Sequence, residues 1–246
     1  MAERDVESLV AELVENEMTC GIQLAFSTPA GGMVLSGGVD GRGNVVENGS
    51  ISAWYCVTKT LTTLGIVSLL SDYPEVLDLR VSSLFECRDA DDANLWELLC
   101  HSSGWWGHRS ERLMGISADE AIARIAGGRV RRRRPFCGAY SEFAGFFLAA
   151  CVVERMLGMS FEEVVSARVL RPAGLEGDIY FRAPLLALGG QLRCSATVVA
   201  PGVSIPWLAE LSETCTQRGT AASGAYGTAR GIVGLLSLVE RLVAGD

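Results

Sequence analysis

Residues 54–70 read WYCVTKTLTTLGIVSLL. Lys59 is the single lysine of a 246-residue chain whose 21 Lys and Arg are otherwise all arginine. Cys56 stands three positions before it and opens an apolar run with helical spacing, so a helix is expected from about Cys56 to Ser71. Side chains at i and i+3 of a helix share one face. A helix start supplies free N–H groups and a partial positive charge, which favour a thiolate, as does a nearby ammonium. Guanidinium keeps its proton in proteins, whereas a buried lysine can release it and act as a base. Taken alone, C-x-x-K is short and common, and a buried cysteine beside a surface lysine is the plainer reading. The rest of the chain decides between the two.

Outward from this segment, one hairpin is followed mostly by helices. Residues 3–17 place Val6, Leu9, Val10, Leu13 and Val14 on one helical face. CGIQLAFSTPAGGMVLSGG reads as two strands joined by a Pro/Gly turn, and ISAW as a short segment leading into the Cys56 helix. YPEVLDLRVSSLFE is irregular, and NLWELLCHSSG is a helix ending at a Ser/Gly turn. SADE (117–120) and SFEE (160–163) match the Ser-x-x-Glu capping box. Residues 140–157 form a buried helix, and an amphipathic helix closes the chain. This order gives an α+β, helix-rich class rather than alternating βαβ units. A single domain over 1–246 is expected, with the first helix and hairpin in 1–55 and the helical region in 56–246.

Composition narrows the function. Net charge is −8, which argues against a nucleic-acid binder. The charged N-terminus carries no signal-peptide core, and no apolar run reaches the roughly 18 residues of a membrane span. Eight cysteines without a C-x-x-C pair, and only two histidines, speak against a metal site. A cytoplasmic protein with reduced thiols and no cofactor is the expectation.

The motifs, taken in order, resemble those of the serine β-lactamase and penicillin-binding-protein superfamily, in its class C and esterase-like branch. CVTK occupies the place of that family's S-x-x-K. VLDLRVSSLFE, LWELLCHSSGWWG, YSEFAGFFLAACVVERMLGMSFEEVVSARVLRPAGLEG and YGTARGIVGLLSLVERLVAGD look like its later segments, over roughly residues 20–246. The resemblance implies a helix-rich domain packed on an antiparallel sheet. It makes Cys56 the nucleophile, Lys59 its base or cationic partner, and Tyr140 the second proton-transfer group. The Cys56 N–H becomes half of an oxyanion hole. His101 and the SSG after it become structural, closing a turn near the site. Trp105 and Glu142 fall among the substrate-binding positions.

Three departures shape the functional expectation. Cysteine replaces serine, so the intermediate is a thioester, a good donor to amines. Glu142 replaces the family's asparagine: a carboxylate facing Lys59 would keep it protonated, whereas one pointing outward would leave the site untouched. The sequence has no K-T-G, and it stops where the family adds the strands carrying that motif. An open sheet edge invites a second copy or a partner chain. The run containing Arg131, Arg132, Arg133 and Arg134 precedes Tyr140, and arginine forks suit a phosphate-bearing donor such as coenzyme A, a carrier-protein arm or a nucleotide. A solvated basic loop is the competing reading. The expected activity is acyl transfer through Cys56 from an activated ester or thioester to an amine, alcohol or thiol, with natural-product biosynthesis as the expected setting. The alternatives are an esterase, amidase or β-lactamase-like hydrolase, and an inactive member that binds or scaffolds.

Overall fold

The expected hairpin is present: β1 (Gly21–Thr28) runs antiparallel to β2 (Gly31–Gly38), with Gly21 opposite Gly38 and Thr28 opposite Gly31. The computed structural model describes residues 3–16, 19–28, 31–40, 43–86, 93–104, 120, 123, 125, 138, 140–141, 143–180, 194–195 and 221–245. The turn at 29–30 and the SADE box start lie outside these residues. The chain divides into two units. One comprises Met1–Trp54, Ala173–Gly219 and Gly224–Asp246, the other Tyr55–Pro172 with Thr220–Ser223.

In the first unit, helix α1 (Glu3–Glu15) lies on β2, and Val6 and Val10 are buried. Leu9 of the expected apolar face is instead 44 % exposed. A second sheet has the order β4-β6-β3-β5, from β3 (Ile51–Ala53), β4 (Ile179–Tyr180), β5 (Cys194–Ser195) and β6 (Tyr226–Gly227). Its pairs are antiparallel except β3 with β5, which is parallel. The closing helix, Ala229–Ala244, starts at Thr228, whose Oγ1 accepts the Gly231 N–H at 3.1 Å and donates to Asp178 Oδ1 at 2.8 Å. Gln23 links this unit's parts: its Nε2 donates to the Glu47 carbonyl at 2.8 Å and its Oε1 accepts the Ala229 N–H at 2.7 Å.

The second unit is helical. A 3-10 turn (Tyr55–Val57) feeds α2 (Thr58–Val67), which tightens again into a 3-10 turn (Ser68–Ser71). The expected 56–71 helix is therefore present, but Cys56 sits in the tight turn ahead of its α-helical part. The irregular stretch after it holds two further 3-10 turns, Val76–Asp78 and Val81–Ser83. Helix α3 (Leu95–Leu99) begins with a reciprocal box in which Asn94 Oδ1 accepts the Glu97 N–H at 2.8 Å and Glu97 Oε2 accepts the Asn94 N–H at 3.1 Å. Helix α4 (Ala144–Leu157) buries Phe146, Leu148, Val152 and Val153. Full burial of each such side chain contributes about 1.5–3 kcal/mol. It stops at Gly158, whose φ of 67° is the left-handed conformation usual after a helix. The SFEE box is present at the start of α5 (Phe161–Val165), with Ser160 capping and Glu163 closing back.

Helix α2 meets α5 closely at Gly65. A Cβ built there would lie 2.9 Å from Val165 Cγ2 and 3.2 Å from Phe161 Cζ, both buried side chains. Glycine thus fixes how near the Lys59 helix comes to its neighbour.

Candidate active site

Cys56 is exposed at the head of the α2 run, in the first turn, where backbone N–H groups have no intrahelical acceptor. Tyr55 before it has a φ of 42°, sparsely populated by non-glycine residues, which marks a strained entry into that turn. One helical turn on, Lys59 is only 7 % exposed. An ammonium so buried needs partners. Its Nζ donates to the Ala222 carbonyl at 3.0 Å and to Cys56 Sγ at 3.5 Å. Nζ also lies 5.4 Å and 5.6 Å from the ring centroids of Tyr140 and Phe146, within cation–π range. Residues 221–222 are held beside α2 by Thr62, whose buried hydroxyl donates to the Ala221 carbonyl at 2.5 Å.

Tyr140 completes the cluster. Its hydroxyl donates to Cys56 Sγ at 2.9 Å, across 84 positions of sequence. The sulfur thus receives hydrogen bonds from an ammonium and a phenol at once.

His101 supports this arrangement from behind. Helix α3 ends in a Schellman motif: the His101 N–H reaches the Leu98 carbonyl at 3.3 Å and the Ser102 N–H the Glu97 carbonyl at 2.9 Å. His101 occupies the left-handed position of that motif, with φ 56°, where glycine is usual. A side chain there costs about 1–2 kcal/mol. Its Nδ1 accepts the Ser141 N–H at 3.0 Å, and its ring centroid lies 4.6 Å from that of Tyr140 and 5.3 Å from that of Phe146. The buried Ser141 in turn accepts the Gly145 N–H at 2.9 Å on Oγ, tying the segment to the start of α4. Burial pushes the His101 imidazole below its usual range, and the Lys59 charge pushes it further the same way. The imidazole is therefore neutral near pH 7, as an accepting Nδ1 requires.

Of the residues marked out from sequence, Cys56, Lys59 and Tyr140 come together. Glu142, Trp105 and Arg131–Arg134 lie outside the described residues. Sequence reading did not foresee the Ala222 carbonyl, the Ser141 hydroxyl or the Phe146 ring. Small residues in TAASG and a phenylalanine in an apolar helix carry no local signal of proximity to a site. No group of three or more potential metal ligands occurs among the described residues.

The chain belongs to the family described as Beta-lactamase, whose profile matches residues 6–244. Its fold is similar to that of the octameric penicillin-binding protein homologue from Pyrococcus abyssi (TM-score 0.75, 18 % identity, 98 % of this chain and 57 % of that one). SurE, solved with D-Leu, matches with a TM-score of 0.70 at 25 % identity, over 94 % of this chain and 51 % of that one. EstCE1, a hydrolase with promiscuous acyltransferase activity, matches with a TM-score of 0.70 at 15 % identity, over 99 % of this chain and 72 % of that one. The chain thus spans 57 % and 51 % of the length of the first two. No curated protein sequence matches it.

Proposed function

We propose that the chain is an acyl-transferring enzyme working through a thioester on Cys56. The observation that carries this reading is the convergence of Lys59 Nζ and Tyr140 Oη on Cys56 Sγ, at 3.5 Å and 2.9 Å. A sulfur that accepts from two donors is the electron-rich partner, as a nucleophile must be. With the proton already on the Lys59–Tyr140 pair, the sulfur attacks the carbonyl of an activated ester or thioester, and the pair passes a proton to the departing alcohol or thiol. An amine, alcohol or thiol then attacks the Cys56 thioester and loses its proton to the same pair, which frees the Cys56 sulfur and restores the starting state. The Cys56 N–H, free of intrahelical partners, is one donor to the tetrahedral oxyanion.

Hydrolysis is the second reading, with water as acceptor. EstCE1 combines both outcomes under one fold. SurE holds D-Leu, which makes a D-aminoacyl thioester the first donor to try. A phosphate-bearing donor, recognised by Arg131–Arg134, and a homo-oligomer like the octameric homologue belong to the same proposal. The test is product analysis after incubation with the N-acetylcysteamine thioester of D-leucine, with and without an added amine. Amide in excess of free acid supports transfer, free acid alone supports hydrolysis, and no turnover of either kind sinks both.

A further inference from the structure

We propose that His101 is the positioning residue for Tyr140, holding the phenol on Cys56 through the Ser141 N–H and through its own ring; this rests on the acyl-enzyme reading above. The first observation is conformational. The α3 terminus is a Schellman motif whose left-handed position is filled by His101 at φ 56°. Glycine takes that position without steric conflict. A histidine there is harder to hold, and its side chain makes contacts that glycine cannot. The second observation is what the side chain touches. Nδ1 accepts the Ser141 N–H at 3.0 Å, one residue past Tyr140, and the imidazole centroid stands 4.6 Å from the Tyr140 ring. On its other contact the imidazole centroid lies 5.3 Å from Phe146, a buried residue of α4.

Tyr140 itself is 58 % exposed, so little burial fixes its ring. The backbone bond at Ser141 and the imidazole against the ring act on its orientation together with the hydroxyl's own bond to Cys56 Sγ. Gly138, two residues earlier, passes near the same place: a Cβ there would stand 3.8 Å from the His101 carbonyl oxygen. The segment before α4 therefore runs along the end of α3, with His101 at the contact. His101 exchanges no proton with the reacting atoms in this scheme. It acts on the reaction through the phenol alone.

Two substitutions separate this role from ordinary packing. His101→Gly relieves the left-handed backbone but removes both the acceptor and the ring. His101→Asn suits the same backbone conformation and places Oδ1 near the position of Nδ1. Single-turnover acylation of Cys56 by the D-leucyl thioester is measured for each, in the wild-type chain and with Tyr140→Phe, alongside the melting temperature. The expected result is at least a tenfold slower acylation for His101→Gly, with a melting temperature no lower than wild type. His101→Asn should stay within threefold of the wild-type rate. Within Tyr140→Phe, His101→Gly should change the rate by less than twofold, because the residue acts through the missing hydroxyl. If the glycine variant does not fold, His101→Ala, which likewise lacks the acceptor and the ring, takes its place in the rate comparison. A wild-type rate for His101→Gly, equal losses for the Gly and Asn variants, or a loss that multiplies with that of Tyr140→Phe would each overturn the proposal. Wild-type protein that is never acylated would instead remove the reading on which it rests.

Discussion

At the residue scale, the site is built around one sulfur. Lys59 is buried and shared between Cys56, the Ala222 carbonyl and two rings. Removing a positioned proton-transfer group typically costs 10²–10⁴-fold in rate. Lys59→Met and Tyr140→Phe should each slow Cys56 acylation by about 10²-fold or more. Single-turnover kinetics check this, and a loss under tenfold for both would remove the pair from the chemistry. His101 gives a separate expectation. Its folded value lies below its usual value of 6.5 through burial first and the Lys59 charge second. As pH falls, the unfolded chain takes up this proton before the folded one does. The His101 contribution to stability is therefore whole above about pH 6.5 and declines as pH drops toward the lower folded value. Urea unfolding at about pH 7.5 and 5.5 should show a smaller loss for His101→Asn than for wild type. Equal losses would mean that His101 does not titrate in this way.

At the element scale, packing decides where the reactive turn sits. Gly65 lets α2 lie against Val165 and Phe161 of α5, and a methyl group there meets side chains with no space to retreat. Overpacking of this kind costs about 1–3 kcal/mol, so Gly65→Ala should lower the denaturation midpoint accordingly. An unchanged midpoint would show that the helix pair can part. The Asn94 cap is a second handle. Loss of such a cap costs about 1 kcal/mol, and Asn94→Ala should destabilise the chain by about that amount in the same assay. The starts of α3 and α5 and the hairpin were legible in the sequence, because Asn, Ser and Pro/Gly act through neighbouring backbone, whereas the buried helix expected from residue 140 begins at Ala144. The Ser160–Glu163 box and the pairing of β1 with β2 follow from a few adjacent letters. The α3 terminus was legible only in part. A helix end at HSSG could be read, but nothing local told that His101, rather than a glycine, takes the left-handed position. The imidazole there meets a tyrosine 39 positions away.

At the scale of the whole molecule, the sequence order of motifs carried the family, and the profile match over residues 6–244 agrees with it. Cys56 and Lys59 were visible as a pair because one helical turn links them. Tyr140 needed the family pattern, since its contact with Cys56 closes a long loop. The Ala222 carbonyl, 163 positions after Lys59, had no signature at all, because any residue can supply a carbonyl. The central claim is that Cys56 carries the acyl group. Intact-mass measurement after brief exposure to the D-leucyl thioester, with peptide mapping, tests it most directly. Mapping matters because Cys100 is exposed as well. One leucyl addition is expected on the peptide containing Cys56, absent from Cys56→Ala; no addition to the wild-type chain, or one that persists in Cys56→Ala, would rule out Cys56 as the acyl carrier.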